Sequence, residues 1–303
     1  MVQVAAQLAV IAVVLALRMR QIDGRISPDG QYYLNMSIGR PTPKPYCFRV
    51  FVPFVSRMLR FLPMEPHWTM RCVVFAGMIA LLASSYLLTL SLGGSTWAAF
   101  AVVMVLIMTE SLVGSWIMFP WLTDSWAMAF AVAASLSSLP LAALLLLLSA
   151  LSKETGYALG AAFILLRDPS HWWVAVPGAI ALILARLTIK PSPPDQEWLK
   201  NPIAYSQASK RREWFSYSKN LGHMKLTPFA AAALLPGTVF AVPAAAVAVI
   251  AWAQTLIAVD HARLISMALP FVVPMVAVVA DDWMLAVWVL SSLFWPSTDM
   301  EYA

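Results

Sequence analysis

The first polar stretch of the chain contains a carboxylate that is well placed to act as a general base. Asp29 lies in the segment PDGQYY, residues 28–33, after an apolar run and before a predicted short helix. Two interpretations of this carboxylate are open. It caps the helix that follows, or it takes the proton from a hydroxyl group of a bound sugar or lipid.

Other charged groups occur within or beside apolar runs, where an ionised side chain is costly without a partner. Lys153 and Glu154 interrupt the largely apolar segment at 140–168. They either neutralise each other at a helix turn or serve a donor phosphate as cation and orienting carboxylate. Arg263 either extends to lipid headgroups or donates bidentate hydrogen bonds to two phosphate oxygens. Asp124 is either a helix cap or a polar ligand of a sugar.

The elements that must position these groups are predicted to be membrane-spanning helices. The 303 residues are 61% hydrophobic and only 12% charged, whereas soluble domains carry about 25% charged residues. Apolar runs tile the sequence and predict an all-α, polytopic transmembrane helix bundle of about eleven spans. Residues 1–303 form one predicted transmembrane domain, with a first loop at 19–68 and a second polar loop at 190–227.

The first loop is predicted to contain helices that lie in the membrane interface. Within residues 48–63, Arg49, Arg57 and Arg60 fall in a narrow arc at helical spacing, and the rest of the segment is almost wholly apolar. That pattern is typical of a helix that rests on the bilayer surface.

Local pattern also predicts two boundaries between helices. The segment at 140–168 is predicted to be two short spans that turn at Lys153-Glu154, since a charged pair in mid-membrane is costly. One long buried helix is the alternative. Asp168-Pro169-Ser170 is predicted to start the next helix, with Asp168 or Ser170 as its cap and Pro169 in its first turn.

If successive spans cross the bilayer in alternating directions, each charged residue can be assigned to one of the two membrane faces. All of the 20 Lys and Arg residues except Arg167 and Arg186 fall on one face, which also receives Asp29, Asp124 and Glu154. The positive-inside rule places such a face in the cytoplasm. The net charge of +5 favours lipid headgroups or anionic substrates over nucleic acid as partners.

The first loop resembles that of the C-type membrane glycosyltransferases (GT-C fold), which use polyprenyl- or dolichol-phosphate-linked sugars. The resemblance rests on a first span, the P-D-x-x-Y-Y motif at 28–33 and an Arg-x-x-x-Pro element that begins at Arg49. Lys153-Glu154 is similar to the intramembrane Lys/Arg-Glu step of that family. Arg263, in DHARLISMALPF, is similar to its late arginine, which holds a lipid phosphate.

The resemblance implies an active site on the charged face. Asp29 would be the catalytic base, with Asp23 as its substitute under a different alignment. Substrate-binding roles would fall on Arg263, Lys153, Glu154, Arg49, Asp124 and Tyr33. The family places this face outside the cytoplasm, against the positive-inside rule. The extracytoplasmic placement is preferred, since the cations would be substrate ligands.

The predicted function is transfer of a sugar from a polyprenyl-phosphate-linked donor to an acceptor hydroxyl by an integral, multi-pass membrane protein. No cofactor is predicted, because the leaving group is already an anion that a cationic pocket can stabilise. A divalent cation is compatible with this chemistry, but no HxxxH or paired-Cys pattern indicates a metal site.

The predicted partners are the lipid-linked donor and membrane lipids, with the acceptor unassigned and nucleic acid not among them. The alternative function belongs to a different class. A carrier or flippase for an anionic lipid or small anion would use the same cations but would need no general base.

Overall fold

The described part of the chain is helical. The computed structural model describes residues 2–19, 28–109, 112, 123–194, 200, 227–254 and 266–294, and these ranges contain helices and no β-strand. The predicted all-α fold class is confirmed for them. Asp23, Arg263 and most of the second polar loop lie outside the described residues.

Thirteen α-helices and three 3-10 helices occur in the described ranges. The α-helices are α1 (Val2–Met19), α2 (Pro28–Ser37), α3 (Phe51–Met58), α4 (Pro66–Ser91), α5 (Thr96–Met108), α6 (Asp124–Ala134), α7 (Leu139–Ser152), α8 (Glu154–Arg167), α9 (Val176–Thr188), α10 (Thr227–Leu234), α11 (Ala241–Gln254), α12 (Leu269–Val279) and α13 (Asp282–Phe294). The 3-10 helices are Tyr46–Phe48, Leu59–Phe61 and Pro169–Ala175.

These helices group into two compact units. The first unit comprises Met1–Arg20, Ser85–Ser115 and Ile203–Ala303, and the second comprises Gln21–Ser84 and Trp116–Pro202. Every predicted site residue that the structure describes belongs to the second unit. The prediction of a single transmembrane domain over residues 1–303 stays a prediction.

The first unit is built mainly by apolar packing. In it α5 packs against α1, α12 and α13, and the sequences of α5, α11 and α12 contain no charged residue. Ser95 caps α5, since its hydroxyl accepts a hydrogen bond from the Ala98 N–H at 3.1 Å.

In the second unit, α6 and α8 approach closely because small residues line their contact. A Cβ atom built on Gly156 would lie 2.7 Å from the Ala127 carbonyl, and one built on Gly160 would lie 2.9 Å from the Ala131 Cβ. There is no room for a larger side chain, as in the small-xxx-small pairs of membrane helices. The paired positions increase together, so the two helices run parallel and their first residues lie at the same end.

A sharp break separates α7 from α8. Lys153 alone lies between them, with an extended backbone (φ −166°, ψ 133°). The predicted break at Lys153-Glu154 is therefore confirmed, and the alternative of one long helix is wrong. Ser149 of α7 donates its hydroxyl to the Ala127 carbonyl at 2.7 Å, which fastens α7 to α6 near the same end.

The next predicted boundary is also present. The Asp168 carboxylate accepts a hydrogen bond from the Ser170 N–H at 2.9 Å, and Pro169 is the first residue of the 3-10 helix that continues into α9. The predicted cap is confirmed, with Asp168 in that role.

Two side chains near the start of α6 join it to α4. The Trp126 indole donates to the Val73 carbonyl at 2.6 Å, and the Ser125 hydroxyl donates to the Val74 carbonyl at 3.0 Å. The Trp126 ring covers Gly77, where a Cβ atom would lie 2.6 Å from it. These contacts hold the first turn of α6 in place.

The segment at 48–63 differs from the single amphipathic helix predicted for it. α3 begins at Phe51, and Arg49 precedes it with a non-helical backbone (φ −93°, ψ 67°). The prediction that Arg49 shares one helical face with Arg57 and Arg60 is therefore wrong. Arg49 turns towards partners on α2 and α8, whereas Arg57 and Arg60 are exposed.

Two described helical segments are long and apolar enough to cross a membrane. They are Pro66–Ser91, which is α4, and Pro169–Thr188, which joins a 3-10 helix to α9. The other apolar helices have 10–17 residues. The structure therefore supports two candidate spans by length and composition, and the count of about eleven spans stays a prediction.

Candidate active site

The second unit brings six of the seven predicted site residues into one polar network. The seventh, Arg263, lies outside the described residues. Three contacts build the network. They join α2 to the 3-10 helix at Tyr46–Phe48, Arg49 to the start of α8, and the start of α6 to the α7–α8 break. Its predicted members are Asp29, Tyr33, Arg49, Asp124, Lys153 and Glu154.

Asp29 lies in the first turn of α2, where the positive end of the helix dipole favours a carboxylate. The Tyr46 hydroxyl donates a hydrogen bond to Asp29 Oδ1 at 2.6 Å. This length is typical of an O–H donor bound to an ionised carboxylate. Asp29 is partly exposed and Tyr46 is buried, so the carboxylate is held from the protein side.

Arg49 connects the first loop to α8. Its guanidinium donates twice to the Glu154 carboxylate, from Nε and from Nη2, each at 3.1 Å. Its Nη1 donates to the Tyr33 hydroxyl at 2.8 Å. Although burial opposes the charged guanidinium, Glu154 and Tyr33 raise the pKa of Arg49 well above its usual value. Arg49 therefore stays charged.

Tyr33 interacts electrostatically with Arg49, Asp29 and Asp124. Burial raises the pKa of its phenol to about 12, with further increases from Asp29 and Asp124 and an opposing effect from Arg49. It remains a neutral phenol at physiological pH. Tyr33 is almost completely buried, and its hydroxyl accepts the hydrogen bond that Arg49 donates.

Lys153 and Asp124 form a second, deeper ion pair. The Lys153 Nζ lies 2.6 Å from Asp124 Oδ1, and the side chains are only 3% and 2% exposed. Lys153 has an extended backbone at the helix break, and its side chain reaches the start of α6. The alternative in which Lys153 and Glu154 neutralise each other is wrong, because each pairs with a different residue.

The described network carries a net negative charge. Asp29, Asp124 and Glu154 supply three carboxylates and Arg49 and Lys153 supply two cations, giving −1. Both cations are already paired with carboxylates. A phosphate group at this site would therefore need additional cations, and the predicted ligand Arg263 lies outside the described residues.

The sequence interpretation missed two tyrosines of the network. Tyr46 stacks on Tyr32 with ring centres 4.7 Å apart, and it meets Tyr33 edge-on at 5.5 Å. The Arg49 guanidinium lies 5.6 Å from the Tyr46 ring centre. The sequence signal was a tyrosine that ends the Pro-rich stretch at 41–46, but that signal does not identify a partner.

Among the residues that the structure describes, no group of three or more His, Cys, Asp or Glu side chains could hold a metal ion. What the described network offers is a fixed carboxylate at Asp29, backed by buried tyrosines and two ion pairs. No family model, curated protein or solved structure matches this chain.

Proposed function

We propose that this protein is a polytopic membrane glycosyltransferase that moves a sugar from a polyprenyl-phosphate-linked donor to an acceptor hydroxyl. The observation that supports this most is that Asp29 and five other predicted site residues, from distant parts of the sequence, lie in one polar network. A fixed, partly exposed carboxylate is the group that deprotonation of an acceptor hydroxyl requires.

Membrane insertion is supported by apolar side chains on outer helix surfaces. Within the Pro169–Thr188 segment, only 17% of an 18-residue apolar stretch is buried. Ile180, Ile183, Leu184 and Leu187 recur at helical spacing, and each is at least 50% exposed. A helix with this apolar exposed face is stable against lipid and unfavourable in water.

Some of the other helices proposed to cross the membrane are short. α7 and α8 have 14 residues each, which corresponds to a length of about 21 Å. The hydrocarbon core of a bilayer is about 30 Å thick. Local thinning of the bilayer accommodates short helices at modest cost. The total of about eleven spans, and an extracytoplasmic position for Asp29, are proposed from the sequence pattern and the family resemblance.

In the proposed reaction, Asp29 takes the proton from the acceptor hydroxyl as its oxygen attacks the anomeric carbon of the sugar. The bond from that carbon to the lipid phosphate breaks, and the phosphate leaves as an anion. Since Arg49 and Lys153 are engaged by Glu154 and Asp124, stabilisation of the leaving phosphate is assigned to Arg263 and to further cations of the first loop.

A carrier for anionic lipids or small anions is the second candidate. It shares the need for cations but has no use for a fixed base. Both candidates must bind an anionic ligand, so the charge of the network does not separate them. The enzyme is preferred because the Asp29 carboxylate is held in the first turn of α2 by the Tyr46 hydroxyl, which a carrier does not require.

Transfer and transport can be separated in one experiment. The purified protein would be reconstituted in vesicles with a synthetic polyprenyl-phosphate sugar carrying a radiolabel. Acceptor extracts would be supplied on one side. We expect label to move covalently to an acceptor. Movement of intact donor between leaflets, with no covalent transfer, would support the carrier and overturn the enzyme.

Thiol labelling tests whether the second unit crosses the membrane. Gln31 on α2 and Ser170 after α8 are both exposed. Cysteines placed there, in a Cys72→Ser background because Cys72 is exposed, should react with an impermeant reagent from opposite sides of a vesicle. Reaction of both from the same side would contradict a membrane crossing by α8.

A further inference from the structure

The Tyr46 ring contacts three other side chains, and its hydroxyl contacts Asp29. The ring stacks on Tyr32, meets Tyr33 edge-on and lies beside the Arg49 guanidinium. It is 3% exposed. A ring confined in this way leaves its hydroxyl little freedom, so the hydrogen bond at 2.6 Å constrains where Asp29 Oδ1 lies.

The Tyr46 hydroxyl is also a permanent donor. Burial and the neighbouring Asp29 carboxylate raise the pKa of the Tyr46 phenol far above its usual value. The phenol therefore keeps its proton at every pH at which the protein would work. A donor that never ionises orients a carboxylate without competing for the proton that the carboxylate must accept.

We propose that Tyr46 is the positioning residue for the general base, and that it sets the direction from which Asp29 approaches the acceptor hydroxyl. This inference rests on the proposed glycosyl transfer. A base contributes fully only when it is held within hydrogen-bond reach and in line with the proton that it takes. Tyr46 is buried, and in this proposal it acts through Asp29, to which its hydroxyl donates.

The test is a double-mutant cycle on turnover. Tyr46→Phe keeps the stacked ring and removes only the hydroxyl. We expect kcat to fall about tenfold to a hundredfold, as for the loss of one charge-assisted hydrogen bond, with KM changed less than about twofold. In an Asp29→Asn background the same substitution should lower kcat by less than about twofold, because its effect passes through Asp29.

Tyr157→Phe is the matched control. Tyr157 also donates one phenolic hydrogen bond within the second unit, to the Ala175 carbonyl at 2.7 Å, and it lies outside the Asp29 network. Its removal should leave kcat and KM within about twofold of normal. A thermal-unfolding midpoint measured for each variant shows whether it remains folded.

Each outcome is decisive. Normal kcat in Tyr46→Phe, or equal losses in the Asp29 and Asp29→Asn backgrounds, would overturn the positioning role while leaving glycosyl transfer standing. If the unmodified protein transfers no sugar to any acceptor supplied, the proposed function fails and the role of Tyr46 fails with it. A non-additive thermal shift between Asp29→Asn and Tyr46→Phe would then still report the hydrogen bond itself.

Discussion

Two ion pairs made by consecutive residues of the chain differ in depth. The inner pair, Lys153–Asp124, joins two helix ends and is at most 3% exposed. In the outer pair, Arg49–Glu154, the side chains are 11% and 34% exposed, and Arg49 also binds Tyr33. Breaking a buried pair leaves a charge that water cannot reach, whereas a partly solvated pair contributes far less to stability.

This difference in burial indicates that the two ion pairs at the helix break have different roles. The inner pair is expected to hold α6 against the α7–α8 break. The outer pair is expected to hold the first loop, and with it Asp29, over the start of α8. Stability and activity should therefore respond differently to substitutions at neighbouring positions.

The largest effect is expected at the inner pair. Lys153→Met leaves the Asp124 carboxylate buried without its ammonium partner, which should cost about 3–5 kcal/mol of unfolding free energy. Thermal and denaturant unfolding in detergent would measure this loss. The double variant Lys153→Met/Asp124→Leu should recover most of it, since apolar residues of similar volume often replace a buried pair without loss.

The opposite result at Lys153 would also be informative. If Lys153→Met unfolds at the normal temperature but binds the lipid-phosphate donor poorly, the predicted phosphate-binding role of Lys153 gains over the structural one.

The outer pair should affect turnover more than stability. Arg49→Lys keeps the charge but cannot fork onto both oxygens of Glu154. Sugar transfer should fall about tenfold, equivalent to about 1.4 kcal/mol, while unfolding free energy changes by less than about 1 kcal/mol. Arg57→Lys, at an exposed position of α3, is the control and should be near normal. Equal losses of sugar transfer in Arg49→Lys and Arg57→Lys would show that the Arg49–Glu154 pair has no specific effect on turnover.

An effect shared by both pairs is expected at Gly156. An added methyl in Gly156→Ala would meet the Ala127 backbone at 2.7 Å, which forces α8 away from α6. Overpacking of this kind costs about 1–3 kcal/mol, and both stability and transfer should decline. Leu166→Ala, on the exposed side of α8, is the control. A fully stable, fully active Gly156→Ala would show that the close approach does not position the pairs.

Local sequence pattern predicted the features that depend on neighbouring residues. The break at Lys153 follows from a charged step in an apolar run, and the Asp168 cap follows from its spacing to Pro169 and Ser170. Both were predictable because the residues that cause them lie within one helical turn.

Pairing across the fold was not predictable in this way. Arg49 does not lie on its predicted helical face; it binds Glu154, which lies 105 positions later in the chain. Tyr46 reaches Asp29 across 17 positions through a turn. Helical periodicity contains no information about such distant partners, so the network's membership was predicted better than its bonds.

The catalytic role of Asp29 is the centre of the proposal, and Asp29→Asn tests it most directly. Asn is nearly isosteric and can still accept the Tyr46 hydrogen bond, but it cannot take a proton. Transfer from a synthetic polyprenyl-phosphate sugar should fall about 10²–10⁴-fold, while donor binding, measured in parallel, stays within about twofold. Asp282→Asn, which also removes a first-turn carboxylate, should transfer normally. Near-normal transfer by Asp29→Asn would show that Asp29 only stabilises its helix.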